Sequence, residues 1–433
     1  MNIAWRSALT FLFVTSSLLS TQVNGFEVGI GMHVRTYPND PGYYLDKIKS
    51  AGFTSFREDY PWQLVELQKG TYSNNSYLQK VDTAFNDGEK YGLSSVLILD
   101  YSNKNYDSYG YPNTDAAIEG FANYAYWTAR RFSGKVKYFE IWNEWLYKTG
   151  IQVRGAVPPP PEVYAKLVIA TAKAVKKANP DAIIITGSFS PFSTRDVAWF
   201  DKVIDAGVLN YIDGISLHAY TPSGSSGDII TAEGNLQLID AYEKHVTQKT
   251  GKKNVPLYIT ELGFPTYSGK DGLRADKVAQ YVMKYTLLAQ TRSYIKGVWW
   301  YDLIDDGTSA NNKEHNFGFF TRMESPKESV SAIEKITQLT RNYSIQDIKK
   351  SSDGTNIVTL KNKGENKFAT IYWKEDKPAK NKSGIQKLMQ SFSAKDNSDK
   401  VNFLNAPSVN STTPKASSTP TIIYSDNEPA VIN

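Results

Sequence analysis

Two glutamates, Glu144 and Glu261, occur where a carboxylate is unexpected. Glu144 lies near the end of the aromatic run YFEIWNEW (138–145), and Glu261 lies in the apolar run YITELGF (258–264). Charged groups are costly to remove from water unless they are paired. One interpretation is therefore that each glutamate pairs with a neighbouring Arg or Lys. The other is that the two carboxylates share one site, where such a pair can supply an acid and a nucleophile for glycosidic cleavage.

The elements around these glutamates are predicted by an alternation of strand-like and helix-like segments between residue 26 and about 342. Several apolar runs are nearly continuous in Val, Ile and Leu, as in parallel strands covered on both faces. The strand candidates are 26–34, 54–59, 94–100, 136–144, 182–190, 213–220, 256–264 and 296–303. Eight strands, each followed by a helix, predict an α/β fold of the closed (β/α)8 (TIM) barrel type. A doubly wound open sheet is the alternative, but no early strand ends in its usual G-x-G-x-x-G turn.

Such a barrel would bring distant residues to one rim, because its reactive face lies at the carboxyl ends of the strands. Glu144 ends the fourth predicted strand and Glu261 the seventh, so both side chains are expected on that rim. Glu140 lies deeper in the fourth strand and is interpreted as structural, paired with a cation. Asp100 and Asp302, at the ends of strands three and eight, are expected to cap loops or to form salt bridges.

Composition argues against several other chemistries. The chain has 433 residues, no cysteine and four histidines, without an H-E-x-x-H motif, so we predict no metal site and no cofactor. No G-x-S-x-G nucleophile elbow occurs, which argues against an esterase of the α/β-hydrolase type. The net charge is +5, but basic and acidic residues are interspersed, which gives no indication of a nucleic-acid partner.

The two ends of the chain differ in character from the barrel. Residues 1–25 contain one Arg, an apolar core and small residues near Gly25, and are predicted to be a secretory signal peptide. No later segment is apolar for long enough to span a membrane, so we predict an exported protein, periplasmic or secreted, and a monomer by default. Residues 26–343 form the predicted catalytic barrel. Residues 344–433 are predicted to form a small antiparallel β appendage that includes a flexible polar stretch.

Several motifs together resemble a known group of enzymes. EIWNEW (140–145) and YITELGFPT (258–266) end predicted strands four and seven, with His-x-Tyr at 218–220 and a Trp on strand eight. This combination resembles clan A of the glycoside hydrolases, the retaining (β/α)8 enzymes, and is similar to its family 39-like members. Those members include endoglycosidases that act on bacterial exopolysaccharides, and β-xylosidases.

The resemblance implies roles for four polar residues. Glu144 would be the acid/base and Glu261 the nucleophile. Asn143 would hydrogen-bond the sugar 2-hydroxyl, an interaction that strengthens in the transition state. Arg57 would keep the nucleophile ionised, because a nearby cation favours the charged form of a carboxylate.

Further residues near the strand ends are expected to contact the substrate. By the same resemblance, Tyr220 would lie near the nucleophile and His218 near the acid/base or the sugar. Trp300 would form the platform on which the sugar stacks, with Trp299 as the alternative. His33, at the end of the first strand, is a candidate for lining the sugar cleft.

Together these features predict a retaining glycoside hydrolase that cleaves O-glycosidic bonds of a polysaccharide or oligosaccharide by double displacement. The resemblance favours endo action on a bacterial exopolysaccharide or a plant-type glycan. Two alternatives use the same barrel: a carbohydrate-binding pseudoenzyme, and a transglycosylase that differs only in the acceptor. The residues Glu144, Glu261, Asn143 and Arg57 disfavour the pseudoenzyme, because binding alone needs no ionised nucleophile.

Overall fold

The computed structural model describes residues 25–221, 231–269, 272–351, 353–374 and 417–426. The predicted signal peptide, up to residue 24, and most of the polar stretch of the predicted β appendage lie outside the described residues. Among the helices that are described, none combines the length and the apolar character needed to cross a bilayer.

Eight parallel strands form a nearly closed barrel. Strands β1–β8 span Glu27–Gly31, Ser55–Pro61, Ser94–Asp100, Tyr138–Ile141, Ile183–Thr186, Ile215–His218, Leu257–Leu262 and Ile295–Trp300. They pair in the order β5-β4-β3-β2-β1-β8-β7-β6. Isolated bridges from Ile185 to Gly214 and from Phe189 to Leu217 connect the β5 segment to the β6 segment. The predicted (β/α)8 barrel is therefore confirmed.

Helices cover the outside of the barrel. Helices α1–α10 span Pro41–Ser50, Trp62–Val65, Gln79–Asp87, Lys104–Asp107, Asp115–Arg131, Pro161–Ala178, Thr194–Asp205, Ala232–Thr250, Ala275–Ala289 and Glu328–Asn342. Their starts are encoded locally, since the side chains of Thr114 and Ser193 cap α5 and α7 by accepting backbone N–H groups. Proline occupies the first position of α6, where no N–H partner is needed.

The barrel interior has an apolar part and a polar part. A small buried cluster, separate from the large core between strands and helices, fills the apolar part with Val96, Tyr138, Ile185, Tyr258 and Trp299. Towards the carboxyl ends of the strands, the interior instead contains buried polar residues. These are Arg57, Glu140, Ser216 and Thr260. A polar interior beneath one rim can fix the side chains of a site at that rim.

A second sheet follows the barrel. Strands β9–β12 span Tyr343–Lys350, Thr355–Asn362, Phe368–Lys374 and Thr421–Ser425, and they pair antiparallel in the order β12-β11-β10-β9. Val358, Leu360 and Ile371 are buried in the same hydrophobic core as the barrel residues. The predicted antiparallel β appendage is therefore confirmed, and it packs against the barrel.

Candidate active site

The backbone after β4 adopts an uncommon conformation that positions Asn143 and Glu144. Trp142 and Glu144 both have positive φ angles, 71° and 51°. This conformation costs non-glycine residues on the order of 1–3 kcal/mol, and it persists where surrounding structure enforces it. The Glu144 N–H donates to the Ser188 hydroxyl at 3.3 Å. At Gly187, a Cβ would lie only 2.4 Å from the Ile141 carbonyl oxygen, so glycine is needed beside this turn.

An irregularity in β7 positions Glu261. Leu217 of β6 pairs with Ile259, but the next residue, His218, pairs with Glu261, so the register skips Thr260. An extra residue of this kind re-aims the side chains that follow it. As a result, Thr260 hydrogen-bonds inside the barrel and Glu261 reaches the cleft.

The structure brings Glu144 and Glu261 together across the cleft. One carboxylate oxygen of each residue and His218 Nδ1 all lie within 4.8 Å of one another. His218 Nδ1 is 2.8 Å from Glu144 Oε1 and 3.4 Å from Glu261 Oε2. One imidazole nitrogen therefore lies next to both carboxylates.

Arg57 connects the two strands that carry these glutamates. Its Nη1 donates to Glu261 Oε1 at 2.7 Å, and its Nη2 donates to Asn143 Oδ1 at 2.9 Å. Its Nε donates to Glu140 Oε2 at 2.7 Å. The predicted cation partner of Glu140 is therefore confirmed and is Arg57. Burial disfavours the charged guanidinium, but Glu140 and Glu261 outweigh it and raise the pKa of Arg57 well above its ordinary value.

The pKa of the Glu144 carboxyl is set by opposing effects. Burial raises it, but the hydrogen bond and charge of His218, followed by the charge of Arg57, lower it more. The Thr149 hydroxyl adds a 3.4 Å hydrogen bond to the second Glu144 oxygen. The net pKa of Glu144 lies below its ordinary value.

Two tyrosines complete the hydrogen bonds around the pair. The Tyr220 hydroxyl donates to Glu261 Oε2 at 3.1 Å. Asn143 Nδ2 donates to the Tyr101 hydroxyl at 3.1 Å. Because an amide NH₂ carries two hydrogens, Asn143 keeps a second donor for a ligand in the cleft that it lines.

The cleft has a volume of about 960 Å³. Its lining includes seven of the predicted site residues: Glu144, Glu261, Arg57, Asn143, His218, Tyr220 and His33. It also includes aromatic residues that the sequence did not single out as site residues: Tyr147, Phe192, Phe264, Tyr301 and Phe317. Aromatic walls of this kind offer stacking faces to a sugar ring.

Neither predicted tryptophan lines the cleft, and this expectation needs correction. Trp299 is fully buried inside the barrel, where its Nε1 donates to Ser55 Oγ at 3.0 Å. Trp300 is 1% exposed and packs beneath α9 against Tyr285. Strand residues alternate between faces, so the residue two positions beyond Trp299 returns to the interior side. That residue is Tyr301, and it lines the cleft.

Asp100 and Asp302 also differ from expectation. Both are buried, and within the described part of the chain neither forms a salt bridge with Lys or Arg. Burial and the nearby charge of Asp59 raise the pKa of Asp100 well above its ordinary value. Burial and the charge of Asp306 do the same for Asp302. The loops that carry these aspartates fold them inward, which the sequence pattern does not indicate.

The sequence matches a known family over most of the barrel. The sequence model of the family Cellulase, glycosyl hydrolase family 5, matches residues 19–302. A comparison with curated proteins gives no significant match.

The structure is similar to solved glycoside hydrolases. A family 39 glycoside hydrolase from the gut symbiont Bacteroides cellulosilyticus WH2 has a TM-score of 0.66 and 25% identity, covering 81% of this chain and 71% of that chain. Xylanase 10B from Thermotoga maritima has a TM-score of 0.53 and 14% identity, and the match covers 73% of this chain and 95% of the xylanase. GH5_18 from Streptomyces cattleya, solved with GlcNAc, has a TM-score of 0.59 and 13% identity, and the match covers 73% of this chain and 81% of that protein. The last two show a likeness of fold alone.

The predicted resemblance to clan A is therefore confirmed. This chain belongs to glycosyl hydrolase family 5, within clan A, and it is a glycoside hydrolase with a carbohydrate substrate.

Proposed function

We propose that this glycoside hydrolase is a retaining enzyme that cleaves O-glycosidic bonds of a polysaccharide by double displacement. Glu261 is the nucleophile and Glu144 the acid/base. The observation that carries the proposal is the approach of these carboxylates to within 4.8 Å. Retention needs carboxyl groups about 5–5.5 Å apart, whereas inversion needs about 6.5–9.5 Å to admit a water.

In the first step a Glu261 oxygen attacks the anomeric carbon, and the bond from that carbon to the leaving oxygen breaks. Glu144 donates its proton to the leaving oxygen. The product is a glycosyl ester on Glu261 and a free hydroxyl on the departing chain. The ion pair with Arg57 supports this role for Glu261, because it favours the ionised carboxylate that attack requires.

In the second step Glu144 acts as a base. It removes a proton from a water molecule, whose oxygen attacks the anomeric carbon and releases the Glu261 carboxylate. Asn143 supports both steps, because its free amide hydrogen can bond the sugar 2-hydroxyl in each transition state. Its orientation is fixed by Arg57, Ser188 and Tyr101.

The proposed substrate is a bacterial exopolysaccharide or a plant-type glycan, attacked within the chain. Small-molecule sites have volumes of roughly 300–1,000 Å³, so a cleft of about 960 Å³ has room for more than one sugar ring. Its aromatic lining supports binding of successive rings. We further propose that the enzyme is exported to the periplasm or the cell exterior, which rests on the N-terminal sequence.

The test is a screen of bacterial exopolysaccharides and plant glycans, with mass analysis of released oligomers and NMR of the first anomer formed. We expect internal cleavage of one polymer with retention of configuration. Glu261→Gln should lose cleavage yet still bind that polymer. The matched control is Glu119→Gln, which removes the same charge from an exposed position on α5 and should leave cleavage unchanged. Inverted products, or equal cleavage by the Glu261→Gln variant, would overturn the assignment.

A further inference from the structure

Asp302 is a buried carboxylate without a hydrogen-bond partner. It directly follows the cleft residue Tyr301, is 1% exposed, and neither of its oxygens accepts a hydrogen bond. The nearby Asp305 differs, because it accepts bonds from Lys327 Nζ at 2.7 Å and from the Gly318 N–H at 2.8 Å. Burying an unpaired carboxylate is costly, so the two free oxygens of Asp302 point to a ligand.

The geometry around Asp302 fits a shared cation better than a direct contact. His33 Nε2 lies 3.9 Å from Asp302 Oδ2, which is too long for a hydrogen bond. His33, Asp302 and Asp306 each offer one ligand atom, and the three atoms lie within 4.8 Å of one another. Ligand atoms that are each about 2.0–2.2 Å from one metal ion lie at most about 4.4 Å apart, so a shift of a few tenths of an ångström by the exposed Asp306 side chain brings all three atoms into range.

Two other groups of potential ligands fit a cation less well. His33, Glu58 and Asp59 are also close together, but Glu58 already accepts the N–H groups of Val34 at 2.6 Å and Asp59 at 3.1 Å. The remaining group contains the proposed catalytic glutamates. There the close contacts are direct hydrogen bonds of His218 and Arg57 at 2.7–2.8 Å, which leave no gap for an ion.

We propose that His33, Asp302 and Asp306 bind a divalent transition-metal ion of the Mn²⁺ or Zn²⁺ class at the edge of the cleft. One imidazole and two carboxylates suit such an ion, whereas Ca²⁺ and Mg²⁺ prefer sites made of oxygen ligands alone. The ion compensates the buried charge of Asp302.

The surroundings of this site supply further support. The Tyr37 hydroxyl is buried and lies close enough to feel the charge of Asp302. A hydroxyl at this position can hydrogen-bond a carboxylate that binds a metal and so orient it. His33 lines the cleft and Asp306 is exposed, so the remaining coordination positions are open to water or a sugar hydroxyl. The double displacement does not depend on this ion.

The test is calorimetric titration of the chelator-treated full chain with MnCl₂, ZnCl₂ and CaCl₂, without carbohydrate. We expect one Mn²⁺ or Zn²⁺ per chain and weaker binding of Ca²⁺. Because Asp306 is exposed, Asp306→Asn should fold like the parent, which circular dichroism checks, and should weaken binding by at least about tenfold. The matched control Asp46→Asn removes one exposed carboxylate on α1 and should bind like the parent.

Three results would overturn the proposal. The first is that the parent shows no saturable metal binding. The second is that Asp306→Asn binds the metal with the same affinity as the parent. The third is that Glu144→Gln loses metal binding while Asp306→Asn retains it. Loss of the electron paramagnetic resonance signal of free Mn²⁺ gives a second readout. Since no substrate is present, these outcomes are independent of whether the double displacement is correct.

Discussion

His218 affects both glutamates through a single nitrogen. Its Nδ1 lies 2.8 Å from Glu144 and 3.4 Å from Glu261, and its ring is almost fully buried. The interaction of this imidazole with Glu144 stabilises the ionised carboxylate, which explains why the pKa of that carboxyl lies below its ordinary value despite burial. His218 is therefore a positioning residue that also limits the pH range in which Glu144 is protonated.

This predicts a change in the pH profile when His218 is replaced by Gln. As the proposed acid, Glu144 must be protonated to donate to the leaving group, so in this mechanism its pKa sets the basic limb of kcat/KM. The interactions of His218 lower the pKa of Glu144, so removing the imidazole should raise that pKa. The basic limb should consequently move to higher pH in His218→Gln. The matched control is His245→Gln, whose histidine pairs with Asp201 at 2.9 Å outside the cleft and should leave the profile unchanged. An unmoved limb, or a shift to lower pH, would contradict this role.

At the scale of elements, the site depends on buried hydrogen bonds between strands. Arg57 of β2 binds Glu140 of β4 and Glu261 of β7 through separate nitrogens. Glu140 also accepts from Ser216 of β6 at 2.8 Å and from Thr260 at 3.2 Å. The position of Glu261, the proposed nucleophile, is thereby tied to three other strands, so the network serves stability and would also serve the proposed catalysis.

Replacing Arg57 by Met should be strongly destabilising. The change leaves Glu140 buried without its cation, and removing one partner of a buried ion pair costs about 3–5 kcal/mol. Urea denaturation followed by circular dichroism measures this loss. Adding Glu140→Gln to the variant removes the uncompensated charge and should restore part of the stability. A single variant as stable as the parent, or a double variant less stable than the single one, would rule out this explanation.

Hydrophobic patterning predicts the barrel because several of the strand segments are nearly continuous in Val, Ile and Leu and because they alternate with helix-like segments. It also predicts the meeting of Glu144 and Glu261 at one rim, which follows from topology once the strands are placed. The family resemblance places Trp299 and Trp300 wrongly, since the dipeptide does not reveal which residue faces the barrel interior. Counting by two from Trp299 would have identified Tyr301 as the cleft residue.

Other features depend on tertiary contacts that no pattern encodes. The register irregularity that skips Thr260 appears only when β6 and β7 are paired. The positive φ of Glu144 occurs in a residue type that rarely adopts it. The sequence places Asp302 at the end of the eighth strand as a loop cap or salt-bridge partner, and its burial beside His33 follows from how the segment after β8 folds over the rim.

At the scale of the whole molecule, the barrel and the C-terminal sheet share one hydrophobic core. Trp373 of β11 is fully buried and belongs to this core. Its Nε1 donates to Glu233 Oε1 at the start of α8, at 2.6 Å. Trp373 does not line the cleft. The described part of the sheet therefore stabilises the barrel at a distance from the chemistry.

Trp373→Ala should lower stability without changing catalysis by the folded protein. Deleting a buried tryptophan side chain costs about 3–5 kcal/mol through lost burial and the cavity that remains. Thermal unfolding should show one transition, as for the parent, at a lower temperature. Trp373→Phe keeps most of the apolar volume, so its unfolding temperature should lie between those of the parent and Trp373→Ala. Two separate transitions in the parent would show that the sheet and the barrel do not unfold as one unit.

The most direct test of the Glu144 and Glu261 pair is mass spectrometry of Glu144→Ala after reaction with an activated aryl glycoside of the polymer found in the screen. An activated leaving group needs no acid, but the second step lacks its base, which should slow it by about 10²–10⁴-fold. We expect a covalent glycosyl adduct on the peptide that contains Glu261, and its release by azide as a glycosyl azide of retained configuration. An adduct on another carboxylate, or turnover with neither an adduct nor an azide effect, would contradict the proposed mechanism.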